Sequence, residues 1–295
     1  MGAKHMASNQ EGPAAAPSDY VRFLILAEAR SGSTMLKDAL QSSPRIRCFS
    51  EIFNVRYDGI MYGGVEGYDN NSAEDRALRD RDFRAFLRER IYGQHPAEVV
   101  AVGFKHLVTA RGGSVDDLLR HLAQDTKIRV LHLRRRNILK RAVSRKLAEA
   151  TGIWAKLPKP SLTPALVLRA ARHPRRVAAR LRRFIQLLQP SRKIGRPRVS
   201  VSAEELYYAI IWAKQNAAHV DDLFRDHPKL SLFYEDLEED RQEVFRQAQE
   251  FLGVEPGPLT VSLVKQNPEP LPELLENYDE LRAAYRYSKH AWMFD

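Results

Sequence analysis

The segment Ala29-Arg30-Ser31-Gly32-Ser33-Thr34 sets a guanidinium, three hydroxyls and a glycine side by side, after an apolar run and before a stretch of helical spacing. Each part suits an anion. Gly32 lets the backbone come close, the N–H groups at a helix N-terminus converge on one point, and Arg30 with the hydroxyls adds side-chain donors. A nucleotide phosphate is the natural guest. The segment is not a Walker A loop, because Ala27 stands where the first glycine belongs and Ser33 where the lysine belongs. A nucleotide kinase or NTPase is therefore the weaker of the nucleotide-binding readings.

Such a turn has to be held by its neighbours. Val21-Arg22-Phe23-Leu24-Ile25-Leu26-Ala27 is a nearly continuous apolar run, the pattern of a strand buried on both faces. The same order recurs in Val99-Val100-Ala101-Val102-Gly103-Phe104 before a helix from Ser114 to about Gln124, and in Ile128-Arg129-Val130-Leu131-His132-Leu133 before a helix from Asn137 to about Ala150. A fourth run, Leu230-Ser231-Leu232-Phe233-Tyr234, precedes a helix from about Asp240 to Leu252, with Gly253 as its stop. Strands alternating with helices need crossover connections. The expected fold is α/β, a single P-loop-like domain over residues 19–295 with a central parallel sheet flanked by helices. Residues 1–18 read as a tag and a disordered linker, rich in Ala, Pro, Ser and Gly without apolar periodicity.

The net charge of +10 is local in origin. Residues 151–200 hold thirteen Lys or Arg and no Asp or Glu; taking these from the 47 basic residues leaves 34 against 37 acidic ones. The segment 151–202 reads as a basic helical insertion and connector, with Pro174 dividing its first part and a long helix from Ala203 to about Phe224 following it. No helix-turn-helix or RNA-recognition pattern accompanies the charge, so nucleic acid is not the expected partner. A cover that draws in a small-molecule or glycolipid acceptor, anionic acceptors included, or that touches a membrane surface, accounts for it better. The lone Cys48 excludes an internal disulfide and a multi-cysteine metal site, and no metal is expected. With no run near the roughly 18 apolar residues of a membrane span and no signal-peptide order, a cytoplasmic protein is expected.

The motifs together resemble the PAPS-dependent sulfotransferases, in particular the bacterial carbohydrate branch similar to trehalose sulfotransferases (PAPS is 3′-phosphoadenosine-5′-phosphosulfate). A strand ending in Arg30-Ser31-Gly32-Ser33-Thr34 is similar to that family's 5′-phosphosulfate loop. Arg134-Arg135-Arg136-Asn137, followed by Ala142-Val143-Ser144, is similar to its 3′-phosphate motif, an arginine at a strand end and a serine on the next helix. Phe49-Ser50-Glu51-Ile52-Phe53, Tyr234-Glu235-Asp236-Leu237 and Lys265-Gln266-Asn267-Pro268 match the short acidic motif, a late strand and helix, and the loop that closes over the nucleotide. A ligand with phosphates at both 3′ and 5′ positions needs two such sites at strand ends.

The resemblance implies roles. PAPS as co-substrate would be held by Arg30, Ser31, Gly32, Ser33 and Thr34 at its 5′ end, by Arg135 or Arg136 with Ser144 at its 3′ end, and by Lys265 and Gln266. Spacing from Ser144 leaves Arg135 and Arg136 as alternatives, with Arg134 ranked last. The acceptor hydroxyl must lose a proton. Glu51 is the first candidate base and His106 the second, while Lys105 would touch acceptor or sulfonate and Arg30 would stabilise the leaving phosphate. Tyr234, Glu235 and Asp236 read as a strand end and a helix entry.

Overall fold

Five fully buried residues, Phe23 to Ala27, form most of the first strand, β1 (Val21–Ala27). A strand apolar on both faces must be covered on both. The computed structural model, which describes residues 20–55, 57–108, 114–154, 197–261, 263 and 266–295, supplies that cover. Helix α1 (Ser33–Gln41) follows β1, and then β2 (Ile46–Phe49). Short helices α2 (Ala73–Arg81) and α3 (Phe83–Phe86), the latter running into a wider turn at Leu87–Ile91, lead to β3 (Ala101–Leu107). Then come α4 (Ser114–Leu122), β4 (Arg129–Arg134), α5 (Ile138–Thr151) and α6 (Ala203–Leu223). The chain ends with β5 (Lys229–Phe233), α7 (Tyr234–Glu239), α8 (Arg241–Phe251), α9 (Leu271–Leu274), α10 (Tyr278–Tyr285) and a 3₁₀ turn at Ala291–Phe294.

Two compact units emerge among the described residues, one from those up to Arg136 with Lys214–Val261, the other from Asn137–Ala213 with those after Val261. The first contains a five-stranded sheet in the order β2-β3-β1-β4-β5, parallel throughout. One face packs Phe23, Ile25, Leu131 and Leu133 against Leu36 and Leu40 of α1 and Phe245 and Ala248 of α8. The other packs Leu24, Leu26, Phe104 and Val130 against Leu118, Leu119 and Leu122 of α4, Val220 of α6 and Phe224 just after it. Asp240 caps α8 by accepting from the amides of Gln242 and Glu243, and Gly253, at φ 73°, ends it. Cys48 is wholly buried, and burial pushes its thiol up to about 12, so it behaves as a small apolar residue.

The second unit has its own core of Leu139, Val143, Leu206, Leu275 and Phe294. Asn137 starts α5, accepting from the Lys140 amide at 2.8 Å and donating to the Met293 carbonyl at 2.9 Å. No described helix is long and apolar enough to cross a membrane.

The expected α/β class with a central parallel sheet is what the chain adopts. A strand that the sequence reading did not include, β2, lies at the edge beside β3, where four residues interrupted by Arg47 carry too little pattern to stand out. The third strand extends to Leu107, so Lys105 and His106 are strand residues. Most of the basic insertion, 155–196, with Pro174 and its helices, lies outside the described residues.

Candidate active site

Sheet order determines where the loops meet. The chain leaves β1 for β2 on one side of it, whereas β5, the strand after β4, lies on the other. The carboxyl ends of β1 and β4 therefore flank a switch point, the place where open parallel sheets bind ligands. The loop Glu28–Gly32 occupies one lip and Arg134–Arg136 the other.

The loop is built tightly. Arg30 sits at φ 70°, alone in a left-handed conformation among the described non-glycine residues, and Gly32 follows at φ 83°. This turn aims the start of α1 at the switch point; Leu36 N–H donates to the Gly32 carbonyl at 3.1 Å, and no side chain caps the first turn. The N–H groups there keep their donors for an anion. Ser31 is fully buried, and its Oγ has no hydrogen-bond partner among the described residues. A side chain at position 32 would put Cβ 2.7 Å from Cδ2 of Tyr234, so the glycine is needed both for its conformation and for close approach. We expect Gly32→Ala to lose roughly 1–3 kcal/mol of stability. It should also weaken nucleotide binding, with denaturant unfolding and calorimetry reading the two effects.

Across the switch point Arg135 reaches back. Its Nη1 donates to the Arg30 carbonyl at 3.1 Å, and its guanidinium lies 4.2 Å from the centre of the Tyr234 ring. Burial, and next the Arg135 charge, lower the pKa of Arg30 from its ordinary value. Burial also pushes the Tyr234 hydroxyl up to about 12. The two arginine charges are close enough to influence each other, beside the uncapped start of α1.

Arg136 turns elsewhere. Its amide donates to Glu235 Oε2 at 3.0 Å, its guanidinium binds both oxygens of Asp236 at 2.5 and 3.1 Å, and it lies 4.0 Å over Phe233. Arg134 also faces the Phe233 ring, at 4.8 Å. Of the two arginines the sequence left open, Arg135 is the one that reaches the loop Glu28–Gly32.

On the other side of β1, successive residues of β3 point to opposite faces. Lys105 pairs in register with Ile25 and faces α1, where its Nζ is 2.8 Å from Glu51 Oε1 and donates to Thr34 Oγ1 at 3.0 Å. Lys105 is 3% exposed and the Glu51 side chain 17%. Asn54 Nδ2 donates to the second Glu51 oxygen at 3.0 Å. The loop carrying Glu51 is held by the buried Arg79, whose Nη1 donates to the Ile52 carbonyl at 3.2 Å and the Gly59 carbonyl at 3.0 Å. A carboxylate is thus tied through one lysine to the first turn of α1. His106 stands on the opposite face, its pKa lowered to about 4 by burial against the opposing pull of Glu51.

Ser144 and Gln266 belong to the second unit. There Ser144 Oγ accepts from Asn267 Nδ2 at 3.3 Å, and Gln266 Nε2 donates to the Ile153 carbonyl at 3.2 Å. Lys265 lies outside the described residues. One contributor to the first unit's site, Asn54, was not singled out from sequence and carried no signal there; Tyr234, read as a strand end in a motif matched to the family, packs against the loop instead.

No family model and no curated protein matches the chain. Solved structures do resemble it at low identity. A sulfotransferase from Alicyclobacillus acidocaldarius shares 17% identity over 94% of both chains with a TM-score of 0.42. The sulfotransferase domain of the Synechococcus PCC 7002 olefin synthase shares 15% over 84% of this chain and 78% of that one, TM-score 0.38. A retinol dehydratase in complex with retinol and PAP shares 15% over 93% and 69%, TM-score 0.33.

Proposed function

We propose that this chain is a sulfotransferase that moves the sulfuryl group of PAPS onto an acceptor hydroxyl, on a carbohydrate, a glycolipid or a natural-product alcohol. The observation that carries the reading is the meeting of Arg30 and Arg135 at the switch point, beside an uncapped helix start, from the two segments that resemble the family's phosphate motifs. The Glu51–Lys105–Thr34 chain next to that loop supports the chemistry.

Sulfuryl transfer, like phosphoryl transfer, is an in-line displacement in which the protein positions the reactants and stabilises charge. Glu51 takes the acceptor proton as the new oxygen–sulfur bond forms. The bond from sulfur to the bridging oxygen breaks, and that oxygen leaves on the 5′-phosphate with charge that Arg30 and the loop N–H groups stabilise. Lys105, beside both Glu51 and Thr34, supplies the cation for the transferring sulfonate. Arg135 serves the 3′-phosphate, and Ser144, Lys265 and Gln266 keep the nucleotide role that the resemblance implies.

Calorimetry with adenosine 3′,5′-bisphosphate, ADP and ATP tests the reading. We expect the bisphosphate to bind at least about tenfold more tightly than either, a difference near 1.4 kcal/mol. Equal or tighter ATP binding would sink it.

A further inference from the structure

Among the described residues three Lys or Arg side chains are buried: Lys37, Arg79 and Lys105, at 3%, 7% and 3% exposure. Such side chains are almost never buried unless paired. All three end on one short segment, 51–63. Lys105 Nζ meets Glu51 Oε1 at 2.8 Å. Arg79 Nη1 donates to the carbonyls of Ile52 and Gly59 at 3.2 and 3.0 Å. Lys37 Nζ donates to the Gly63 carbonyl at 2.7 Å and to Asp38 Oδ1 at 3.2 Å. The cations come from α1, α2 and β3, so the segment that carries Glu51 is gripped from three elements, at both ends and between them.

The segment is shaped to receive them. Gly59 and Gly63 sit at φ 136° and 76°, and a Cβ at position 63 would lie 2.7 Å from Lys37 Nζ and 2.9 Å from Ser50 Cβ. Glycine is what lets the chain come that near the ammonium. Asp38 and Asp80, next to Lys37 and Arg79 in the chain, pair with them at 3.2 and 2.8 Å from partly exposed positions. Stability alone does not call for this arrangement. An apolar side chain of similar volume in place of a buried charge is often neutral or favourable, so methionine would serve a merely structural purpose at 37 or 79. What the cations add is direction, each fixing a carbonyl of the segment to a helix. Lys37 lies one turn beyond Thr34 on α1, so that helix holds the segment twice, through Lys37 at Gly63 and through Thr34 and Lys105 at Glu51.

We infer that Lys37 and Arg79 are positioning residues: without touching substrate, they hold the segment 51–63 so that Glu51 keeps its place beside Lys105 and Thr34. The inference rests on Glu51 as the base of the proposed sulfuryl transfer. A misplacement of about 1 Å can cost roughly a hundredfold in rate.

Lys37→Met and Arg79→Met remove these hydrogen bonds and keep length. The test reaction is hydrolysis of radiolabelled PAPS by the full chain, with water in the acceptor's place: its oxygen bonds to sulfur, its proton passes to Glu51, and the bond from sulfur to the 5′-phosphate oxygen breaks. At saturating PAPS each variant should release sulfate at least about tenfold more slowly. Calorimetry should find adenosine 3′,5′-bisphosphate affinity within about threefold of wild type. In a Glu51→Gln background the same substitutions should change the rate by less than about twofold, because a residue that acts through Glu51 has nothing left to position. Hydrogen exchange gives a reading free of turnover. The amides of Ile52, Asn54, Ile60 and Tyr62, bonded to the carbonyls of Ser50, Glu51, Asn70 and Ile60, should exchange at least about tenfold faster in either variant, and those of β1 at the wild-type rate. Full sulfate release by either single variant, losses that multiply with that of Glu51→Gln, or unchanged exchange overturns the inference. Should Arg79→Met not fold, Lys37→Met decides, since Gly63 is exposed and its carbonyl can take water instead. If the wild-type chain releases no sulfate, or Glu51→Gln releases it at full rate, the sulfuryl-transfer reading or the assignment of its base falls, and exchange still decides the grip of Lys37 and Arg79.

Discussion

Glu51→Gln should remove most turnover, by roughly 10²- to 10⁴-fold, the usual contribution of a positioned general base, and leave nucleotide affinity nearly intact. Glutamine keeps the shape of the side chain and an oxygen for Lys105 but cannot hold the acceptor's proton. The loss should fall on kcat, because the Arg30–Arg135–Tyr234 cluster does not include Glu51. Geometry favours Glu51 over His106: a single lysine links the carboxylate to Thr34 in the first turn of α1, whereas His106 faces the other side of the sheet. Steady-state kinetics on Glu51→Gln and His106→Ala decide the matter. Normal turnover in the first and a collapse in the second would transfer the role to His106.

Replacing Arg30 should cost about a hundredfold in kcat/KM, near 3 kcal/mol, by analogy with preorganised donors that stabilise a developing oxyanion. Arg30→Gly is the informative variant. Its backbone, at φ 70°, is strained for arginine and ordinary for glycine, so the substitution removes the guanidinium and the strain together. It also ends the repulsion with Arg135 that helps lower the Arg30 pKa. We therefore expect a thermal midpoint that holds within about 2 °C or rises while activity collapses, the opposed changes of a residue kept for chemistry at some cost in stability. A variant that loses stability and keeps its kcat/KM would make Arg30 a structural residue.

Much of this arrangement was legible in the chain, and the reason is locality. The run Val21–Ala27, the glycine at the mouth of a helix and the asparagine before α5 act through hydrogen bonds and apolar faces within a few residues of themselves, so type and spacing identify them. Glu51, Lys105 and Arg30 could be named as candidates because strand ends and loop motifs mark where the sheet opens. Their partnership could not, since it depends on register: only the pairing of Ile25 with Lys105 turns that lysine toward α1 and leaves His106 on the far face. Which of Arg135 and Arg136 reaches the Arg30 carbonyl was likewise beyond spacing, because what separates them is Asp236, about a hundred residues away, which takes the Arg136 guanidinium. Tyr234 against Gly32, and Asn216 against Glu28 across 188 residues, are contacts between elements whose sequences carry no reference to each other. What the sequence determined by itself is the order of strands and helices and the residue types at the strand ends; which of those residues touch was decided by the lateral order of the strands and the face each side chain takes, properties of the assembled sheet alone.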